Sequence, residues 1–344
     1  MDSTRPSRIA ASVVTAAVAA VLAGCGGAAG GGSANAITVY SGQHQQTATL
    51  LANDFRVRTG IAVNLRSSDE AALANQLLRE GGDSPADVFF AENPPALTVL
   101  SHHGLLAPVA ADTLSHVASR YDSPGRDWVG VSARSAVLVY NTAQLQPAAL
   151  PATLQELAGP AWKGKLGFAP TETDFQPLIA ALVKLKGAPA AVSWLNGLKA
   201  NGKVYDSNET LVSAVNRGDV AAGLIDHYYW YRLRDELGAG KIQSALHYFA
   251  AGDPGALVDV SGAAALKSSR HAALAQKFLA YLVSAPAQQI VAHSESYEYP
   301  LGSSVPIAKP GLRPFAQLKP PTVSIDDLGD GRASLMLLQQ VGLI

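Results

Sequence analysis

One cysteine stands among 344 residues, and a lone Cys25 excludes any intrachain disulfide. Charge is also scarce. Lys and Arg number 26 against 27 Asp and Glu, only 15% of the chain, with no block of either sign and no basic patch interleaved with aromatics. A nucleic-acid partner is therefore disfavoured. The sequence contains no His-Glu-x-x-His, no Gly-x-Ser-x-Gly and no Gly-x-x-x-x-Gly-Lys-Ser/Thr, so no motif supports hydrolase or nucleotide chemistry. Internal repeats are missing too. The longest apolar run near the start, Ile9 to Ala23, falls short of the roughly 20 residues that span a bilayer.

That run is nevertheless informative. Arg5 and Arg8 precede it and small residues end it, the layout of an export signal over residues 1–24. Leu22-Ala23-Gly24-Cys25 resembles the lipobox of bacterial lipoproteins, which implies that Cys25 carries a lipid. Residues 25–36, rich in Gly, Ala and Ser, then read as a flexible tether between membrane and body. Removing Asp2, Arg5 and Arg8 with the signal shifts the formal charge from −1 to −2.

The body from Ile37 onward is long enough for two domains. Its first third alternates strand and helix patterns. Strands are predicted at Ala36 to Tyr40, Ile61 to Leu65 and Ala86 to Phe90, with helices at Gln46 to Thr59 and Asp69 to Glu80. Such alternation predicts an α/β fold with a parallel sheet, whose ligands gather beyond the carboxyl ends of the strands. His44 and Glu92 both lie at such ends. A solvated loop histidine and a helix-capping glutamate are the plainer readings of each.

Farther on, Gly223-Leu-Ile-Asp-His-Tyr-Tyr-Trp-Tyr-Arg232 joins a strand end to three phenols. Asp226 is the type of residue that caps a helix, which places Tyr228 and Tyr229 in its first turn. A phenol, with a reference pKa of about 10, becomes a ligand when a strongly charged cation such as ferric iron displaces its proton. An aromatic cluster that simply packs a core or an interface is the commoner meaning of such a run.

Several motifs taken together resemble the ferric-ion-binding proteins of bacterial ABC importers, which have the two-lobed type II periplasmic binding-protein fold. They are Val39-Tyr40-Ser41-Gly42-Gln43-His44, Ala86 to Glu92, Val137 to Thr142, Gly223 to Ile225 with Tyr228 to Tyr231, and Tyr297-Glu298-Tyr299-Pro300. The resemblance implies that His44, Glu92, Tyr228 and Tyr229 are the iron ligands. It also implies a synergistic carbonate or phosphate, with Thr171, Thr173, Asn208 and Asp226 as candidates to hold it. Two departures stand against phosphate: Glu172 adds negative charge there, and Asp226 occupies a place where many relatives carry asparagine. A small anion, water or an extra carboxylate would fit instead.

The expected organisation is one lobe from residues 37–134 and 258–305, a second from 135–257 and 306–344, and a cleft between them closed by a hinge of crossing strands. Tyr140 and Tyr299 fit either the cleft or the hinge. Trp230 is expected to pack behind the ligands, and the exposed His102-His103 pair to end a helix. The resulting expectation is a monomeric, lipid-anchored extracytoplasmic receptor, not an enzyme, that passes Fe(III) to an ABC permease and its ATPase. The rivals are an organic ligand (polyamine, thiamine or phosphonate) in the same cleft, a metal-dependent hydrolase, and a scaffold with no ligand.

Overall fold

The computed structural model describes residues 35–302, 305–307 and 309–344. The expected signal peptide, Cys25 and the tether as far as Ala34 lie outside the described residues. Ten strands are present among the described residues: β1 Ala36–Ser41, β2 Ala62–Ser67, β3 Val88–Ala91, β4 Val129–Asn141, β5 Leu166–Phe168, β6 Lys203–Val204, β7 Ala222–Asp226, β8 Ser244–His247, β9 Val258–Ala265 and β10 Tyr299–Pro300.

They pair in the order β2-β1-β3-β9-β4-β7-β5-β6, with β8 and β10 also on β4. β1 is parallel to β2 and β3, and β9 runs antiparallel between β3 and the first half of β4. The second half of β4 is antiparallel to β7 and β8, and β5 is parallel to β7 and β6. β4 thus leaves one sheet and enters the other. It pairs with β9 as far as Ser135 and with β7 from Ala136.

Local sequence explains the elements that frame the site. β3 and β9 are buried along their whole length, as expected of strands covered on both faces. The helix Gln45–Thr59 ends at Gly60, whose φ of 72° suits a residue without a Cβ. Asp69 caps Glu70–Glu80 by accepting a 2.8 Å hydrogen bond from the Ala72 N–H. Pro94 and Pro95 open the helix Pro94–His102, where their missing N–H groups cost nothing.

The chain returns from the second sheet at β9, which starts at Val258 and stays in the first sheet. A short 3-10 turn, Pro254–Ala256, makes that return, and the last tie across is Ala136 N–H to Leu257 O at 3.0 Å. A third connection leaves β10, which lies against Ser132 and Ala133 of β4.

This third connection braces the helix His227–Leu237 from behind. The Tyr231 hydroxyl donates to Gly311 O at 2.6 Å, and its ring stacks on Tyr297 at 4.9 Å. Tyr299 is fully buried, stacks on His227 and donates to Arg313 O, so it belongs to the hinge. Tyr140 is buried in the core. Trp230 donates to Ser244 Oγ at 3.1 Å, packing as expected. His102 and His103 are exposed at a helix end before Gly104.

Gly42 tests how tightly the first loop is set. A Cβ there would lie 2.4 Å from the Glu70 Cβ, and 2.9 Å from its Cα, closer than real atoms approach. Gly42→Ala is expected to destabilise the protein by about 1–3 kcal/mol, read from the midpoint of urea unfolding.

Candidate metal site

Four residues named from the sequence meet between the two sheets. β1 ends at Ser41 and delivers His44 as the residue before the helix Gln45–Thr59. β3 ends at Ala91 and delivers Glu92. β7 runs straight into His227–Leu237, so Tyr228 and Tyr229 occupy its first turn. The Tyr228 hydroxyl donates to Glu92 Oε1 at 3.0 Å, and His44 Nε2 lies 3.4 Å from the same oxygen. His44 and Tyr228 meet edge to face at 4.8 Å, and the Tyr228 and Tyr229 rings lie 4.2 Å apart.

Asp226 does not cap the tyrosine helix as expected. Its carboxylate makes no cap hydrogen bond and instead lies 3.1 Å from Arg134 Nε, off the N–H direction. The reason is electrostatic. Arg134 is wholly buried in the middle of β4, and its guanidinium faces Asp226, Asp259 at 3.5 Å and Glu298 at 3.1 Å. Arg134 Nη2 also donates to the Glu92 carbonyl and to Asn93 Oδ1. Burial alone would lower its pKa, but the surrounding carboxylates hold it well above the ordinary value.

Glu298 was missed in the sequence, although its motif was not. Its buried carboxylate accepts from Gln43 Nε2 at 3.1 Å, Ser132 Oγ at 3.0 Å and Arg134 Nη1 at 3.1 Å. With His44 and Glu92 it forms a group whose ligand atoms all lie within 4.8 Å of one another. Tyr297 just before it has a φ of 56°, a left-handed conformation that costs a non-glycine residue about 1–2 kcal/mol. Its carbonyl accepts from His227 Nε2, whose Nδ1 accepts from Ser135 N–H. Burial pushes that histidine down to about 4, so it is a neutral hinge pin rather than a ligand.

The carboxyls do not titrate alike. Burial works to raise Glu92, but the charges of His44 and Arg134 and the Tyr228 hydrogen bond leave it below its ordinary value. Glu70, which accepts from the N–H groups of Glu92 and Asn93 at 2.8 Å each, is pushed up to about 7 by burial and by the Glu92 charge. Burial raises both Asp174 and Asp226, with the Asp226 charge adding to the first and the Asp259 charge to the second. Burial, with Glu92 for Tyr228 and Asp174 for Tyr229, holds both phenols well above 10. Without a cation they are therefore protonated.

The residues named for an anion are differently engaged. Asn208 Nδ2 donates to Asp174 at 2.9 Å, and its N–H donates to Glu172 at 3.1 Å. Thr173 Oγ1 accepts from Asn93 Nδ2 at 3.1 Å, and Thr171 is exposed. This end of the cleft is lined by carboxyls.

Two sheets that share a strand, with polar groups converging where they meet, define a two-lobed solute-binding protein of the type II periplasmic class. The model of the bacterial extracellular solute-binding proteins matches residues 51–308. A "Major ferric iron-binding protein" of Neisseria meningitidis serogroup B is 40% identical over 309 residues, 89% of this chain and 93% of the relative. An "Fe(3+)-binding periplasmic protein" of Serratia marcescens is 38% identical over 308 residues, 90% of each. The crystal structure of iron-bound HitA from Pseudomonas aeruginosa superposes with a TM-score of 0.85 at 43% identity, covering 89% of this chain and 99% of that one. The chain belongs to the family of bacterial extracellular solute-binding proteins, a class of binders rather than enzymes.

Arg134→Met leaves three buried acids, Asp226, Asp259 and Glu298, without this cation. A loss of about 3–5 kcal/mol in unfolding free energy is expected by denaturant titration, the cost of breaking a buried ion pair from one side.

Proposed function

We propose that this protein captures Fe(III) between its lobes through His44 Nε2, Glu92, Tyr228 and Tyr229. The observation that carries the reading is the convergence of these four side chains, with Tyr228 and His44 both against one Glu92 oxygen. Two phenolates and one carboxylate balance three positive charges, and an imidazole nitrogen suits iron. The lobe division at 37–134 with 258–305 and 135–257 with 306–344 is supported by the change of partners in β4 between Ser135 and Ala136. Donors this close leave room for an ion but not for a polyamine, thiamine or phosphonate. The tilted and edge-on rings also fill the space that an aromatic cage would leave open.

The remaining coordination positions take water or a carboxyl of the chain rather than phosphate or carbonate. Asn208 is committed to Asp174 and Glu172, and a phosphate would meet Glu172, Asp174 and Asp226 together. The relatives described as ferric-binding and periplasmic support a role outside the cytoplasm. On this reading residues 1–24 are the signal, Cys25 carries the lipid, and residues 25–36 tether a monomeric body to the cell membrane. The cargo passes to an ABC permease driven by its ATPase, as the family implies.

The test is a ferric citrate titration of the metal-free body, followed by visible absorption. A saturable tyrosinate-to-iron charge-transfer band is expected, weakened or shifted by Tyr228→Phe and by Tyr229→Phe. No band in the wild type would end the ferric reading and leave the fold assignment intact.

The phenols also set the pH dependence. Because burial raises both above 10, binding must release two protons, so affinity rises with pH by about two decades per unit below the phenol range. Competition with citrate at fixed speciation measures the slope, and a slope near zero would exclude tyrosinate ligation.

A further inference from the structure

His44, Glu92 and Glu298 have a common origin that the two tyrosines do not share. His44 follows β1, Glu92 follows β3, and Glu298 precedes β10, and all three strands belong to the first sheet. We propose that these three residues form a separate half-site for a divalent first-row metal ion, held by the first lobe alone without either phenol.

Geometry supports a shared ion. The three ligand atoms lie within 4.8 Å of one another, slightly more than the about 4.0–4.4 Å between opposite donors on a metal with bonds of about 2.0–2.2 Å, so a small side-chain movement brings them onto one ion. His44 Nε2 is buried from solvent and makes no hydrogen bond among the described residues, with Glu92 Oε1 at 3.4 Å. Imidazole with two carboxylates is a donor set that divalent iron, manganese and cobalt accept with open positions to spare.

Glu298 is oriented but not used up. A carboxylate offers about four acceptor sites, and Gln43, Ser132 and Arg134 fill three. Those partners hold the carboxylate as outer groups hold a ligand. Arg134 divides its charge among Asp226, Asp259 and Glu298, so Glu298 retains charge to offer an ion. Charge matching then separates two modes of one cleft. Two carboxylates balance a divalent ion, whereas a trivalent ion needs the phenolates of the second lobe. The half-site shares His44 and Glu92 with the ferric reading but stands without it.

Cobalt(II) chloride is a suitable probe, since its visible d–d bands report coordination directly. Metal-free wild type is expected to bind one Co(II) with a new visible band. The Tyr228→Phe/Tyr229→Phe double variant should keep that band while giving no ferric charge-transfer band. Glu298→Gln, and Glu298→Asp, which keeps a charge for Arg134, should each lower Co(II) affinity at least tenfold, with melting curves recorded to establish that each is folded. Absence of Co(II) binding in wild type, loss of it in the tyrosine double variant, or unchanged affinity in a folded Glu298 variant would overturn the half-site. The ferric titration is scored separately, so either conclusion can fail alone.

Discussion

One buried guanidinium organises this protein. Arg134 sits in the strand that both sheets share, with no access to water, and a cation there is tolerated only if carboxylates from several segments come to it. Asp226 arrives from the second sheet, Asp259 from β9 and Glu298 from the residue just before β10, while the Glu92 carbonyl arrives from the end of β3. Each arrival positions a neighbour: Asp226 sets the helix that begins with His227, and the Glu92 backbone contact sets its own side chain. The site is assembled by what the arginine requires.

The same constraint accounts for features that would otherwise look like defects. Asp226 gives up helix capping because a buried charge pair outweighs an N-cap, which contributes about 0.5–2 kcal/mol. Tyr297 accepts a left-handed backbone because its carbonyl then meets His227 and the next residue turns its carboxylate toward Arg134. Polar Ser132, Arg134 and Ser135 interrupt an otherwise apolar strand at the place where it changes sheets. Strain and polarity collect at the functional centre, as expected where structure is traded for chemistry.

Much of this was legible in the chain. Alternating strand and helix patterns placed β1, β2 and β3 and their helices within a few residues, because each carries its own periodicity and caps. His44, Glu92, Tyr228 and Tyr229 were legible only through the joint resemblance of several motifs, since each alone has a plainer meaning. Glu298 and Arg134 were missed for a physical reason: their roles depend on partners more than 40 residues away, such as Asn93 for Arg134 and Gln43 for Glu298. A signal did exist. An arginine inside Val129-Gly-Val-Ser-Ala-Arg-Ser-Ala-Val-Leu-Val-Tyr-Asn141 cannot be left unpaired in a strand so apolar.

The pairing of Gln43 with Glu298 spans 255 residues, and that of Arg134 with Glu298 spans 164. Contacts of such sequence separation are slow to form, because the loops they close lose their entropy before any contact rewards them. Neither end of the chain can complete the cluster by itself. The binding centre is consequently complete only once distant segments of the chain have met, and a molecule whose first sheet has yet to take up β10 has no finished site.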